Sequence, residues 1–210
     1  MAALYNEVAG KNRDRLAALS DGVFAFALTV IVLDIRVPEQ YGEITTEAGL
    51  LNAVAALAPQ FATYLMSFLT LGIFWVGQQA QLNVFVRSDR DLTWIHLAFL
   101  AIVAMLPFST SLLAHYITFR SALVIYWFNI LILGAMLFWS WQHARRRSLV
   151  TPDFPEALYG ATVRRITIAQ ALYAFGALLC VINTTVSITF IILVQLNYAL
   201  APRFRFLYKI

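Results

Sequence analysis

Charge is what this sequence lacks. Asp, Glu, Lys and Arg make up only 12% of its 210 residues, against roughly a quarter in a soluble domain. That is too few to coat a water-exposed surface, and 61% of the chain is hydrophobic. A lone cysteine, Cys180, excludes an intramolecular disulfide and a cysteine metal cluster. Its apolar setting, GALLCVI, reads as a packing thiol. Enzyme signatures are missing too: no Gly-rich phosphate loop, no H-E-x-x-H and no G-x-S-x-G. The three histidines, His96, His115 and His143, fall on alternating sides of the topology derived below, which keeps them from sharing a metal. No cofactor is implied.

What the chain does have is long apolar runs. Several approach or exceed the ~20 residues needed to cross a ~30 Å hydrocarbon core. They are continuous rather than alternating, which points to helices and away from a β-barrel. The expected fold is therefore an all-α integral membrane protein forming a single domain over residues 1–210, with six spans near 16–35, 60–79, 92–114, 122–142, 161–181 and 187–201. The first run is longer than the ~7–15 residues of a signal-peptide core and carries Asp21, so it reads as a retained helix. Pro59 divides a stretch too long for one crossing, and TTEAGLLNAVAALA before it reads as an amphipathic lead-in helix. In the third span, Ser109 and Thr110 are expected to meet carbonyls freed by Pro107. Trp127, Trp139 and Trp141 read as interfacial anchors.

The net charge of +4 would suggest nucleic acid in a soluble protein, but here the basic residues sit in short connections. With six crossings, Lys11, Arg13, Arg15, Arg87, Arg90, Arg145, Arg146, Arg147, Arg164, Arg165, Arg203, Arg205 and Lys209 share one side, leaving Arg36 and Arg120 on the other. The positive-inside rule then makes both termini cytoplasmic. The opposite loop is acidic through Glu39, Glu43 and Glu47. Short loops and the lack of a targeting segment suggest a multi-pass protein of a prokaryotic plasma membrane, with lipid and no nucleic acid as its surroundings.

The first span, RLAALSDGVFAFALTVIVLDI, holds the residues that composition does not explain. At ~100° per residue, Gly22, Phe26, Thr29 and Leu33 share one stripe with Val30 at its border. Asp21 lies off that stripe, toward a neighbouring helix. An ionisable side chain at membrane depth usually faces protein or water and marks function. Periodicity alone leaves the stripe open between a packing face and a lumen lining.

The same segment resembles the first-helix signature of the transmembrane-protein-175 family of potassium channels, an Arg followed after three residues by Phe-Ser-Asp. Arg15, Ser20 and Asp21 match, and Leu19 replaces the Phe. SFLTLGIFWVGQQAQL is similar to the family's second span; Trp75 matches, while Gln78 and Gln79 stand where two histidines are usual. AIVAMLPFSTSLL resembles the third. The resemblance implies a homotetramer whose first helix lines a central pore. It implies a hydrophobic constriction at Phe26, with Gly22, Thr29, Val30 and Leu33 lining the lumen. It also implies a structural polar network of Arg15, Ser20, Asp21, Trp75, Gln78 and Gln79. Glutamines in place of histidines imply a network that does not titrate near neutral pH.

The function expected is a potassium-permeable, modestly selective cation channel with no metal site beyond the permeating ion. The alternative is a small cation or proton-coupled secondary transporter, with Asp21 and Asp34 binding the coupling ion.

Overall fold

The computed structural model describes residues 12–38 and 44–200. Lys11, Glu39, Glu43, Ala201, Arg203, Arg205 and Lys209, all used above, lie outside the described residues. Among the described residues, seven α-helices follow in order: α1 Arg13–Val30, α2 Glu47–Ala55, α3 Ala58–Val84, α4 Arg90–His115, α5 Arg120–Arg146, α6 Glu156–Leu178 and α7 Thr184–Leu200. Single 3-10 turns extend α1 (Ile31–Asp34) and α6 (Leu179–Val181). Among the described residues the one extended pairing is an isolated antiparallel bridge between Phe85 and Val150.

Local chemistry explains most helix starts. The side chains of Asn12, Thr46, Asp89 and Asn183 accept from Arg15 N at 3.1 Å, Gly49 N at 3.1 Å, Leu92 N at 2.7 Å and Thr185 N at 2.7 Å. Each satisfies a first-turn N–H that the helix itself leaves unpaired. Pro59 stands in the first turn of α3, where its missing N–H costs nothing. It separates α3 from the short α2, which buries none of its residues.

Five of these helices, including α1 with its 3-10 extension, are long and apolar enough to cross a membrane. The sixth expected span, α7, has 17 described residues, about 25 Å at 1.5 Å per residue. It therefore counts as a shorter apolar helix rather than a full-length one. α3, α4 and α5 run past the expected spans at both ends.

α4 and α5 form the most extensive helix pair, α1 packs on α3 and α4, and α7 packs on α3 and α6. Close approach of α6 to α7 depends on Gly176, where a Cβ would come within 2.8 Å of Ile191. Two apolar cores result. The larger runs through the middle of the bundle and includes Phe24, Phe74, Phe99, Tyr126 and Ile191. The smaller lies at the arginine-rich end, around Leu16, Phe85, Leu92 and Leu149.

Two expectations need correction. Trp141 is only 2% exposed. It stacks on Phe85 and Tyr159 with centroids 5.8 Å apart in each case. It is a core residue, because the connections at this end fold back over it. Trp139 is exposed and Trp127 half-buried. At Pro107, the Ser109 and Thr110 hydroxyls do bond within the helix, both to Leu106 O at 2.9 Å. The carbonyl that a proline frees is four residues back, Val103 here. The hydroxyls reach back only three and four positions, so they double up on a different acceptor.

Candidate functional site

α1 sits at the edge of the bundle and has two unlike faces. Leu16, Ser20, Phe24, Ala27 and Ile31 are buried against α3 and α4. The opposite face leaves Phe26 and Leu33 each 71% exposed, with Gly22 and Thr29 exposed beside them and Val30 half-buried. The stripe read from periodicity is thus the outward face of the protomer. The Thr29 hydroxyl donates back to Ala25 O at 3.1 Å or Phe26 O at 2.8 Å. Its proton is used within the helix, and its oxygen lone pairs remain for an outside partner.

Polar side chains fix the orientation of α1. Trp75, Gln78 and Gln79 occupy one side of α3 at i, i+3 and i+4, the spacing that places side chains together. Trp75 Nε1 and Gln79 Nε2 donate to Asp21 Oδ1 at 2.9 and 2.7 Å. Gln78 Nε2 donates to Ser20 Oγ at 2.9 Å. At the other end, Ser111 Oγ donates to Asp34 Oδ1 at 2.7 Å. Asp21 and Asp34 are therefore each held by neutral donors from a neighbouring helix, which lowers the cost of a charge at that depth.

Five of the six residues assigned to the network meet in this way. Arg15 does not join them: its side chain is exposed, and the donors on Asp21 come from α3. Six residues of helix separate Arg15 from Asp21 by about 9 Å along the axis and about 120° around it, so the two cannot pair on one helix.

The arrangement also contains a residue that pattern reading missed. His96 of α4 packs its Nδ1 3.1 Å from Gln78 Nε2 and its Nε2 3.1 Å from Ser140 Oγ of α5. α4 thus supplies an imidazole from outside the matching motif, beside the glutamines that stand where the family's histidines are usual. A polar residue in an apolar run was the one signal available, and it carried no information about its partners.

Against this geometry, the comparisons with known proteins agree with one another. The family model for the endosomal/lysosomal potassium channel TMEM175 matches residues 15–107, from the start of α1 to Pro107. A crystal structure of a lysosomal potassium-selective channel TMEM175 homolog from Chamaesiphon minutus superposes with a TM-score of 0.76 at 26% identity, covering 91% of this chain and 98% of that one. The chain is thus similar to the TMEM175 family through α1, α3 and the first part of α4, and shares the fold of that homolog. A potassium channel of Streptomyces collinus is 42% identical over 49% of this chain and 48% of its own length. Another, from Chamaesiphon minutus, is 32% identical over 62% of this chain and 64% of its own length. The human endosomal/lysosomal proton channel TMEM175 is 31% identical over 100 residues, only 20% of that protein. The chain thus aligns with about half to two thirds of these bacterial potassium channels and a fifth of the human TMEM175. The family model contains α1, α3 and the first part of α4, the three helices that carry the Ser20–Gln78–His96 contacts.

Proposed function

We propose that this chain is the pore-forming subunit of a potassium-permeable, modestly selective cation channel. Four copies surround a central pathway lined by α1, the arginine-rich end faces the cytoplasm, and six crossings place both termini there. The observation that carries this reading is the outward stripe of α1. A helix held to its neighbour by three polar contacts leaves large apolar side chains and one hydroxyl on its outward face, the face that a pore built from four copies would use.

Phe26 forms the constriction in this reading, with Leu33 and Val30 above it and Gly22 below. A narrow apolar ring excludes water and ions until it widens, a form of gating by dewetting. Thr29 presents lone pairs one turn from Phe26, suited to a cation that has shed part of its hydration. Discrimination then follows dehydration cost rather than a carbonyl cage, so potassium is favoured over sodium by a modest ratio. The transporter alternative needs its two carboxylates to converge on an ion. Asp21 and Asp34 are instead about 20 Å apart along one helix, each with its own donors.

The test is the bi-ionic reversal potential of purified protein in a planar bilayer, potassium against sodium. Discrete currents reversing on the potassium-selective side are expected. Silence across many fusions of folded protein, or slow saturable flux in vesicles, would count against the channel.

A further inference from the structure

The polar grip on α1 continues beyond α3. Ser20, Gln78, His96 and Ser140 are all buried, His96 to 1% exposure. Gln78 Nε2 lies 2.9 Å from Ser20 Oγ and 3.1 Å from His96 Nδ1, and His96 Nε2 lies 3.1 Å from Ser140 Oγ. An amide nitrogen only donates. Its two N–H groups are therefore both used, one on Ser20 and one on the imidazole, and Nδ1 accepts. A neutral ring that accepts at Nδ1 carries its proton on Nε2, so Nε2–H donates to Ser140. Gln78 Oε1 is buried without a hydrogen-bond partner. The reversed amide would leave two N–H donors unpaired in place of one oxygen, a worse outcome in a dry interior. Phe85 meets the imidazole edge-on at 6.3 Å and closes its flank. The result is a chain of contacts across four helices, with Gln78 of α3 donating to α1 on one side and to α4 on the other, and α4 donating on to α5.

We propose that His96 is a positioning residue for the first helix. Its Nδ1 holds the Gln78 amide at the angle that grips Ser20, and its Nε2–H anchors that arrangement on α5. This deepens the channel reading and rests on it: Ser20 is six residues before Phe26 on the same helix, so loosening the grip shifts the constriction.

The experiment compares three substitutions in single-channel recordings. Asparagine places its amide oxygen near the Nδ1 position, glutamine reaches the Nε2 position, and leucine keeps volume without either. His96→Asn keeps the Gln78 arm but gives up the Ser140 anchor, and is expected to lie closer to the wild type than the other two. His96→Gln and His96→Leu lose that arm and shift open probability by about fivefold, the population change that one buried hydrogen bond supports. Equal behaviour of His96→Asn and His96→Gln, or no change in His96→Leu, would overturn the proposal.

Two readouts do not depend on current. Nitrogen NMR of the imidazole should find the proton on Nε2; a proton on Nδ1 reverses the chain and defeats the assignment. Spin labels at the exposed Leu33 and Val181, in a Cys180→Ser background diluted with unlabelled protein, report the position of α1 against the end of α6. His96→Leu should broaden that distance distribution more than His96→Asn does. If the wild type carries no current while the distances behave as expected, the channel reading falls and the positioning role stands.

Discussion

α3 carries polar side chains on two of its faces, and the two behave differently. Toward α1 it presents Trp75, Gln78 and Gln79, which hold a carboxylate and a serine. Toward the interior it presents Ser67 and Thr70. There Thr110 Oγ1 lies 2.7 Å from Ser67 Oγ, Ser67 and Thr70 meet Tyr126 Oη at 3.2 and 2.9 Å, and Gln195 donates to Thr70 Oγ1 at 2.6 Å. The inner set is fully buried, neutral and ties together α3, α4, α5 and α7. The outer set includes Asp21 and Trp75, both exposed in the protomer. A carboxylate is tolerated at an edge that water or another copy reaches, and hydroxyls serve where neither does. The inner belt builds the subunit, while the outer one orients the helix whose other face is free.

Substitutions can separate these roles, beginning with the most disruptive. Gly176→Val forces branched carbon into Ile191 and Phe190 at the α6–α7 contact. A loss of about 3 kcal/mol, the upper end for overpacking, should appear in thermal unfolding of the detergent-solubilised protein. Next comes Tyr126→Phe, which removes the hydroxyl shared by Ser67 and Thr70. About 1–3 kcal/mol is expected for the groups left behind, and a neutral result would demote the inner belt. Asp21→Asn keeps an acceptor for Trp75 and Gln79, so about 1 kcal/mol or less is expected. Its larger effect should be on gating, because the orientation of α1 changes.

Phe26→Ala should move stability least, within about 0.5 kcal/mol as for other exposed sites. It should nevertheless raise unitary conductance and lower the potassium-to-sodium permeability ratio. Unchanged currents would remove Phe26 from the constriction, and a large stability loss would make it a packing residue.

Residues with local causes were legible from sequence. The helix starts follow from Asn12, Thr46, Pro59, Asp89 and Asn183, whose effects act within a turn. The two faces of α1 follow from helical periodicity, which is enough to group Gly22, Phe26, Thr29 and Leu33 on one side. Trp141 misled because a tryptophan near a span end has two common fates. Only the folding back of Phe154 and Tyr159 selects burial. Pro107 misled in a smaller way, since which carbonyl a hydroxyl meets depends on its rotamer.

The sequence by itself determined a helical membrane protein, residues whose capping chemistry acts within a turn, and which side chains of α1 share a stripe. These rest on hydrophobicity and on a fixed 3.6-residue period, both readable along a chain. That the stripe faces outward came only with the fold. Tertiary structure alone decided that Asp21 meets Trp75 and Gln79, that Arg15 stands apart from it, and that His96 links Gln78 to Ser140. Those contacts join residues 18 to 58 positions apart. Their geometry is set by how whole helices cross and rotate against one another, which no local pattern encodes.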